Sequence, residues 1–335
     1  MKYAWILLFS LIITLTAFGE VAKEAPLKSW GPKGPLCVRN TDMFSLMFLT
    51  FPPEFPKVLP PGKTLFAANI DIVSEAKFTE NVTYDYELER FLLRYRKGLK
   101  DGSEISFALP LMTRQNGFMD SIVNWWHSTM LGSHPLPREI LPIDGLRIHV
   151  VKDGTVLVDA ARGDGPGDLS IMYKRQLWEK KRNAGVIRFG VELPTGNPAE
   201  FLGSGNVDVG AQVDSYWKLS KKLHLYLNLG LVYQGTPSVL PNARQWQDRE
   251  LVALEWQLTG KDSLIFQTDN QSPTWHTGDP TFDRAYREFS IGWRRQICKD
   301  MLLQISFSEN NDFVGGEFAD FATDIAVGAG LEWYF

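Results

Sequence analysis

Along much of this chain apolar residues alternate with small or polar ones, with the period of two that a half-buried β-strand requires. The pattern is clearest at the C-terminus. In residues 323–335, Ile325, Val327, Ala329, Leu331, Trp333 and Phe335 share one face, and Asp324, Ala326, Gly328, Gly330, Glu332 and Tyr334 share the other. The same dyad returns in 223–234, where Leu223, Leu225, Leu227, Leu229 and Leu231 alternate with His224, Tyr226, Asn228 and Gly230. It returns again in 187–193, 252–258, 289–297 and 301–308. Runs of about 10–12 residues exceed the ~5–6 of an ordinary strand and suit a tilted strand crossing a bilayer, with an aromatic girdle at its end. The polar faces mix Gly, Gln, Arg, Asp and Glu instead of the Lys and Thr of a water-facing sheet. That mixture suits a narrow barrel interior, where small residues relieve crowding and opposite charges pair.

Strands are predicted at 63–73, 84–96, 103–112, 168–178, 185–194, 206–218, 223–234, 247–259, 262–271, 286–297, 300–310 and 323–335. The expected fold is therefore all-β: a transmembrane antiparallel up-and-down β-barrel of about 12 strands. Short turns (97–102, 179–184, 219–222, 260–261, 298–299) alternate with long connections (74–83, 113–167, 195–205, 235–246, 272–285, 311–322). This is the asymmetry of periplasmic turns against extracellular loops, and it puts both termini in the periplasm. A hairpin pattern at 146–151 and 156–160, around Lys152-Asp153-Gly154, leaves 14 strands as the alternative.

The N-terminus changes the picture further. Lys2, an apolar run over residues 4–18 and the small residues around Ala17-Phe18-Gly19 read as a signal peptide spanning 1–19. The run is short for a membrane helix, which needs ~20 apolar residues. Residues 20–62 carry prolines at 26, 32, 35, 52, 53, 56, 60 and 61 and cannot be barrel strand. They are a periplasmic or lumen-packed segment; 43–51 is too apolar for a free tail, which favours packing inside or against the lower rim. Residues 63–335 form the barrel. The formal charge of −4 becomes −5 without Lys2 (34 Lys and Arg against 39 Asp and Glu), which argues against a nucleic-acid partner.

Several segments resemble a known family. They are Gly34-Pro35-Leu36 with Arg39-Asn40, Leu59-Pro60-Pro61-Gly62, and Gly117-Phe118-Met119-Asp120-Ser121-Ile122 with Trp126-His127 and Arg138. Gly165-Pro166-Gly167-Asp168, and Leu193-Pro194-Thr195-Gly196 with Gly203-Ser204-Gly205 and Asp208, complete the set. Over roughly residues 34–335 the chain resembles the family catalogued as domain of unknown function 3187. The resemblance implies an outer-membrane protein of Gram-negative bacteria and transfers no mechanism. Cys37 departs from the expected pattern.

Candidate chemistry concentrates in the long loop 113–167, an expected gate or plug, since long loops without regular structure are usually functional or disordered. Residues 118–131 have helical spacing, with Asp120, Asn124 and His127 on one face. They could offer a ligand a row of carboxylate, amide and imidazole, with Arg138 nearby. A sharper version makes His127 a general base for Ser128 in a surface lipid hydrolase. The blander account, a capping Asp120 and a hydrogen-bonded His127, carries more weight. His127 and Ser128 are also adjacent, so on a helix they point ~100° apart. Strand phase sends Arg90, Arg94, Arg96, Arg188 and Arg294 inward with Glu192, Asp208, Asp214, Glu255, Asp324 and Glu332. Salt-bridged filling is the simpler account of this mixed set, whereas a free arginine column would favour an anionic solute. The turn lysines read as solvated. Cys37 and Cys298 both fall on the predicted periplasmic side, so a disulfide between them is a candidate. No metal spacing or cofactor motif is visible. The leading expectation is a barrel that passes or binds a small or amphipathic solute, with lipid as its other partner. A lipid-modifying enzyme and a structural or adhesive barrel are the alternatives, and oligomeric state is left open.

Overall fold

In the computed structural model the described residues are 31–78, 82–126, 128–129, 142–152, 154–160, 162–240, 242–278, 283–310 and 323–335. The predicted leader 1–19, His127 and Arg138 lie outside them. The first six strands are β1 (Thr64–Phe78), β2 (Val82–Gly98), β3 (Ser103–Gln115), β4 (Arg147–Lys152), β5 (Thr155–Ala160) and β6 (Gly163–Pro166). There follow β7 (Leu169–Glu179), β8 (Asn183–Leu193), β9 (Asp208–Lys218), β10 (Leu223–Tyr233) and β11 (Trp246–Gln257). The last four are β12 (Asp262–Gln271), β13 (Tyr286–Cys298), β14 (Met301–Glu309) and β15 (Ile325–Tyr334). All pair antiparallel with their neighbours, and β1 closes on β15 from Leu65↔Tyr334 to Ser74↔Ile325. Twelve strands make the closed wall, as expected.

The remaining three do not add to that number. β4 and β5 form a side hairpin on the loop-end extension of β2 (Val82↔Val150, Asp85↔Arg147), so the 14-strand alternative falls away. β6 continues the line of β7 along β3, pairing Leu111↔Pro166 to Arg114↔Gly163. Between β6 and β7 the ladder breaks opposite Pro110, which has no N–H to give; there Gly167 N–H bonds the Pro110 carbonyl at 2.8 Å.

The dyads resolve into two surfaces. Phe66, Phe189, Leu229, Trp256, Phe266, Ile291, Ile305 and Trp333 stand exposed on the outside. Such a belt would drive aggregation in water but is matched by lipid. One expectation fails. The predicted long loop 74–83 is mostly strand: β1 runs to Phe78 and β2 starts at Val82, leaving three residues between them. Both strands extend because their inward side chains have a surface to cover. Val73, Tyr84 and Tyr86 are buried in one apolar cluster with Met43, Phe44, Met47 and Phe48 of the N-terminal segment.

That segment lies inside the barrel as an inverted hairpin. Its ascending arm enters at the short-turn rim, where Lys33 N–H donates to Glu255 (2.9 Å) and Arg294 donates to the Lys33 and Pro35 carbonyls (2.6 and 3.0 Å). It climbs past Gln267 and Gln304, whose side-chain oxygens accept from Leu36 and Cys37 N–H, and reaches Thr323, which accepts from Thr41 N–H. A short helix, Met43–Leu46, capped by Asp42, turns the chain near the loop end. The descending arm passes Asp208, Arg188 and Glu104, which bond Leu49 N–H, the Pro52 carbonyl and Leu59 N–H. It then leaves by the rim it entered and becomes β1. Gly190 and Gly292 give the hairpin room: an added Cβ at Gly190 would lie 2.9 Å from the Phe51 ring, and one at Gly292 2.9 Å from Leu36 Cδ1. Gly190→Val is therefore expected to cost ~1–3 kcal/mol by overpacking. Urea unfolding in detergent reads the loss, and a midpoint equal to wild type would remove Phe51 from that seat.

Candidate functional site

The lumen is held by charges that face one another across the hairpin. Glu54, on the descending arm, sits among three cations: Lys174 Nζ at 2.7 Å, Arg96 at 3.2 Å and Arg188 at 3.5 Å. Arg96 also makes a two-point bond to Glu104 (2.6 and 3.0 Å), and Arg188 reaches Asp214 at 2.8 Å. Arg90 pairs with Asp71 (2.7 Å), Arg94 and Arg294 share Glu332 (3.5 and 2.5 Å), and Arg249 clasps Asp269. The arginine column on β2 is thus paired at every position. It is part of the filling, and Arg90, Arg94 and Arg188 offer no free guanidinium to a solute as the lumen stands. Glu54 and Lys174 were not singled out from the sequence. Glu54 is the acidic residue inside a proline-rich stretch, which was its only signal.

The loop end is closed over the hairpin tip. Phe44 packs on Trp275 (5.1 Å between ring centres), Phe201 (5.9 Å) and Tyr84 (6.4 Å). Leu202 and Leu240 complete the lid, so three different loops contribute to it. Nearby in the lumen lies a cavity of about 30 Å³ between Arg39, Pro53, Arg90, Pro110, Ser170 and Glu192. That is room for about two waters.

The loop helix is not where the sequence suggested. Helix Asp120–Trp126 does not fold into the mouth; it packs against the outside of the wall. Met119, Val123 and Trp126 meet Ile72, Phe307 and Ile325, which alternate with the lumen-facing residues of β1, β14 and β15. Met119 N–H bonds Glu87, and Trp126 Nε1 donates to Glu309 at 3.3 Å. Asp120 accepts from Asp144 N–H at 2.7 Å, tying the helix to its own loop. Asn124 is half-buried beside it. The candidate ligand residues are thereby not gathered at one place. Asp120 and Asn124 lie outside the wall, Arg90, Arg94 and Arg188 inside, and His127 and Arg138 outside the described residues. The reason is hydrophobic: the helix has two apolar stripes. One covers the barrel wall, and the other (Phe118, Ile122, Trp125) is left exposed beside the lipid belt.

Two of the glycine-rich segments centre on carboxylate clamps. Asp168 accepts from Gly196 N–H (2.7 Å) and Ser204 N–H (2.9 Å), and Thr195 Oγ1 bonds the Gly167 carbonyl (2.9 Å). A Cβ at Gly203 would collide with the Asp168 carboxylate, which is why glycine stands there. Asp208 accepts from Gly235 N–H (2.8 Å) and from Leu49 N–H (3.1 Å), joining a loop to the hairpin.

The disulfide expected between Cys37 and Cys298 is absent, and both thiols are free. Cys37 has been carried up into the lumen against Leu92 and Ala108, while Cys298 stays at the end of β13 beside the turn. Among the described residues no group of three His, Cys, Asp or Glu side chains could hold a metal ion.

A family model matches residues 8–335. The chain belongs to the family described as protein of unknown function, DUF3187. No curated protein matches it. Among solved structures it is similar to an outer membrane channel from Pseudomonas putida F1, at 12% identity and a TM-score of 0.58, over 85% of this chain and 100% of that one. The KdgM porin follows at 5% identity and 0.44, over 81% and 99%. The Ralstonia pickettii toluene transporter TbuX stands at 9% and 0.40, over 92% and 98%. The first likeness is one of fold, and the other two are too distant in shape to add to it.

Glu54→Gln is expected to cost ~3–5 kcal/mol, because it strips the carboxylate from three buried cations. Lys57→Ala, which breaks an exposed pair with Glu179, should cost only ~0–1 kcal/mol. Equal costs in urea unfolding would remove Glu54 as the anchor of the lumen. For the loop helix, an environment-sensitive fluorophore on Ile122→Cys, in a Cys37→Ser/Cys298→Ser background, should emit as if in hydrocarbon and be quenched by brominated lipid. A water-like spectrum would detach this helix face from the bilayer.

Proposed function

We propose that this family member is an outer-membrane channel or binding barrel for a small solute, closed at rest by its own N-terminal hairpin. The observation that carries this is topological. Residues 33–59 enter and leave the lumen through one rim, so the hairpin can withdraw without threading the barrel. Further support comes from the seat of the two arms. Apart from the apolar tip, polar groups on the hairpin meet polar groups on the wall, and such partners exchange for water at far smaller cost than a dry apolar core. The gate assigned from sequence to the 113–167 loop moves in this proposal to the N-terminal segment. The short-turn rim, with both termini, faces the periplasm, and the lid of Phe44 and Trp275 faces outward. No observation favours the hydrolase.

Leu36→Cys/Gly292→Cys, in the same cysteine-free background, should fasten the hairpin to β13. Solute flux or conductance across a planar bilayer should fall on oxidation and recover on reduction. Conductance that is unchanged by the redox state would sink hairpin gating, and a lumen that never conducts in either state would sink the channel itself.

A further inference from the structure

The short-turn rim opens into a vestibule of about 650 Å³, bounded on one side by the descending arm of the hairpin. The volume lies within the ~300–1,000 Å³ typical of small-molecule sites. Its lining is strongly one-signed: seven lysines and Arg96 against a single acidic residue, Asp300. Several of these cations are already occupied. Arg96 is held by Glu104 and Glu54, Lys57 by Glu179, and Lys299 lies 3.9 Å from Asp300. Lys33 is buried with its ammonium on the Gly31 and Gly260 carbonyls (3.2 and 3.5 Å). Burial lowers its pKa, and Glu255 works against that.

Four lysines remain. Lys63, Lys180, Lys181 and Lys218 make no ion pair among the described residues. They come from three separate places in the chain: the start of β1, the β7–β8 turn and the end of β9. Lys180 and Lys181, which the sequence marks as merely solvated turn residues, thus share one concavity with Lys63 and Lys218. Between and behind them stand Phe55, Tyr216 and Tyr334 with Val58, Leu59 and Leu302, so the wall is largely apolar where it is not basic. A concave, low-dielectric wall carrying charge of one sign focuses its field and concentrates counter-ions. Lysine ammoniums act as point charges that suit carboxylate or phosphate oxygens without fixing one geometry.

We infer that this vestibule is a binding site for a small soluble anion carrying two or more carboxylate or phosphate groups, captured on the short-turn side of the closed hairpin. As a choice of solute this rests on the channel reading, but the capture step does not require the hairpin to move. The test therefore measures binding and needs no conductance. Full-length protein in a zwitterionic detergent is titrated with citrate and with pyrophosphate at low salt. Saturable one-site binding that weakens as sodium chloride rises is expected. The triple variant Lys180→Gln/Lys181→Gln/Lys218→Gln should weaken it at least tenfold with an unchanged melting temperature, since all three side chains lie at the rim. Lys221→Gln/Lys222→Gln, in a turn that does not line the vestibule, should leave it within twofold. No saturable binding, or an equal loss in both variants, overturns the site. So does a preference for phosphatidylglycerol in bicelles that neither free anion can compete away, which would make the rim a lipid-headgroup contact.

Discussion

A segment without strand or long helix, threaded through the middle of a barrel, must find a partner for nearly every backbone N–H and carbonyl it carries. This constraint explains why the lumen has the composition it has. The inward positions of β11 to β14 supply Glu255, Gln267, Arg294 and Gln304 at successive heights, each bonded to a main-chain group of the ascending arm. Those of β3, β8 and β9 supply Glu104, Arg188 and Asp208 to the descending one. The polar face of each dyad is thus a docking ladder. Its mixed charge follows from serving both donors and acceptors.

The charges left over by that ladder neutralise each other. Glu54 is the clearest case, because a proline-rich arm delivers one carboxylate to the spot where β2, β7 and β8 each present a cation. Removing either side of such a cluster leaves buried charge unpaired, so the arm and the wall constrain one another. Aromatic packing takes over at the loop end, where Tyr86, Asp42 and Arg39 bond the backbone of the short helix Met43–Leu46. The hairpin is therefore polar along its arms and apolar at its tip.

Fold class was legible because alternation is a direct record of two different solvents on the two faces of a strand. Leu229 and Leu231 on β10 stand exposed on the lipid side, and His224 and Tyr226 on the alternate face of the same strand are buried. Strand count survived for the same reason: the 146–160 hairpin pattern was too short to cross, and it does not. Strand length was misjudged at 74–83, where polar Ser74, Glu75 and Lys77 looked like loop; they are strand, buried on the stretch of β1 that the hairpin tip packs against. The site was less legible. Helix periodicity over 118–131 anticipated the amphipathic helix Asp120–Trp126, but a second apolar stripe on such a helix reads equally as lumen packing or wall packing. Inward phase was right for Arg90, Arg94 and Arg188, yet phase says nothing of partners arriving from the proline-rich segment. Cys37 and Cys298 were placed together by rim proximity in sequence order, and the climb of the ascending arm separates them.

The hairpin precedes β1 in the chain, whereas the seam that encloses it joins the first strand to the last. Synthesis therefore delivers the contents before the container, and the seam can form only once β15 has been made. Thr323 and Glu332, at either end of that last strand, reach the ascending arm at Thr41 and, through Arg294, at Lys33. Because the hairpin uses one rim only, its seating and the closing of the seam are separable in order. Once both are complete, the last strand grips the ascending arm near each of its ends, so the seam and its contents brace one another.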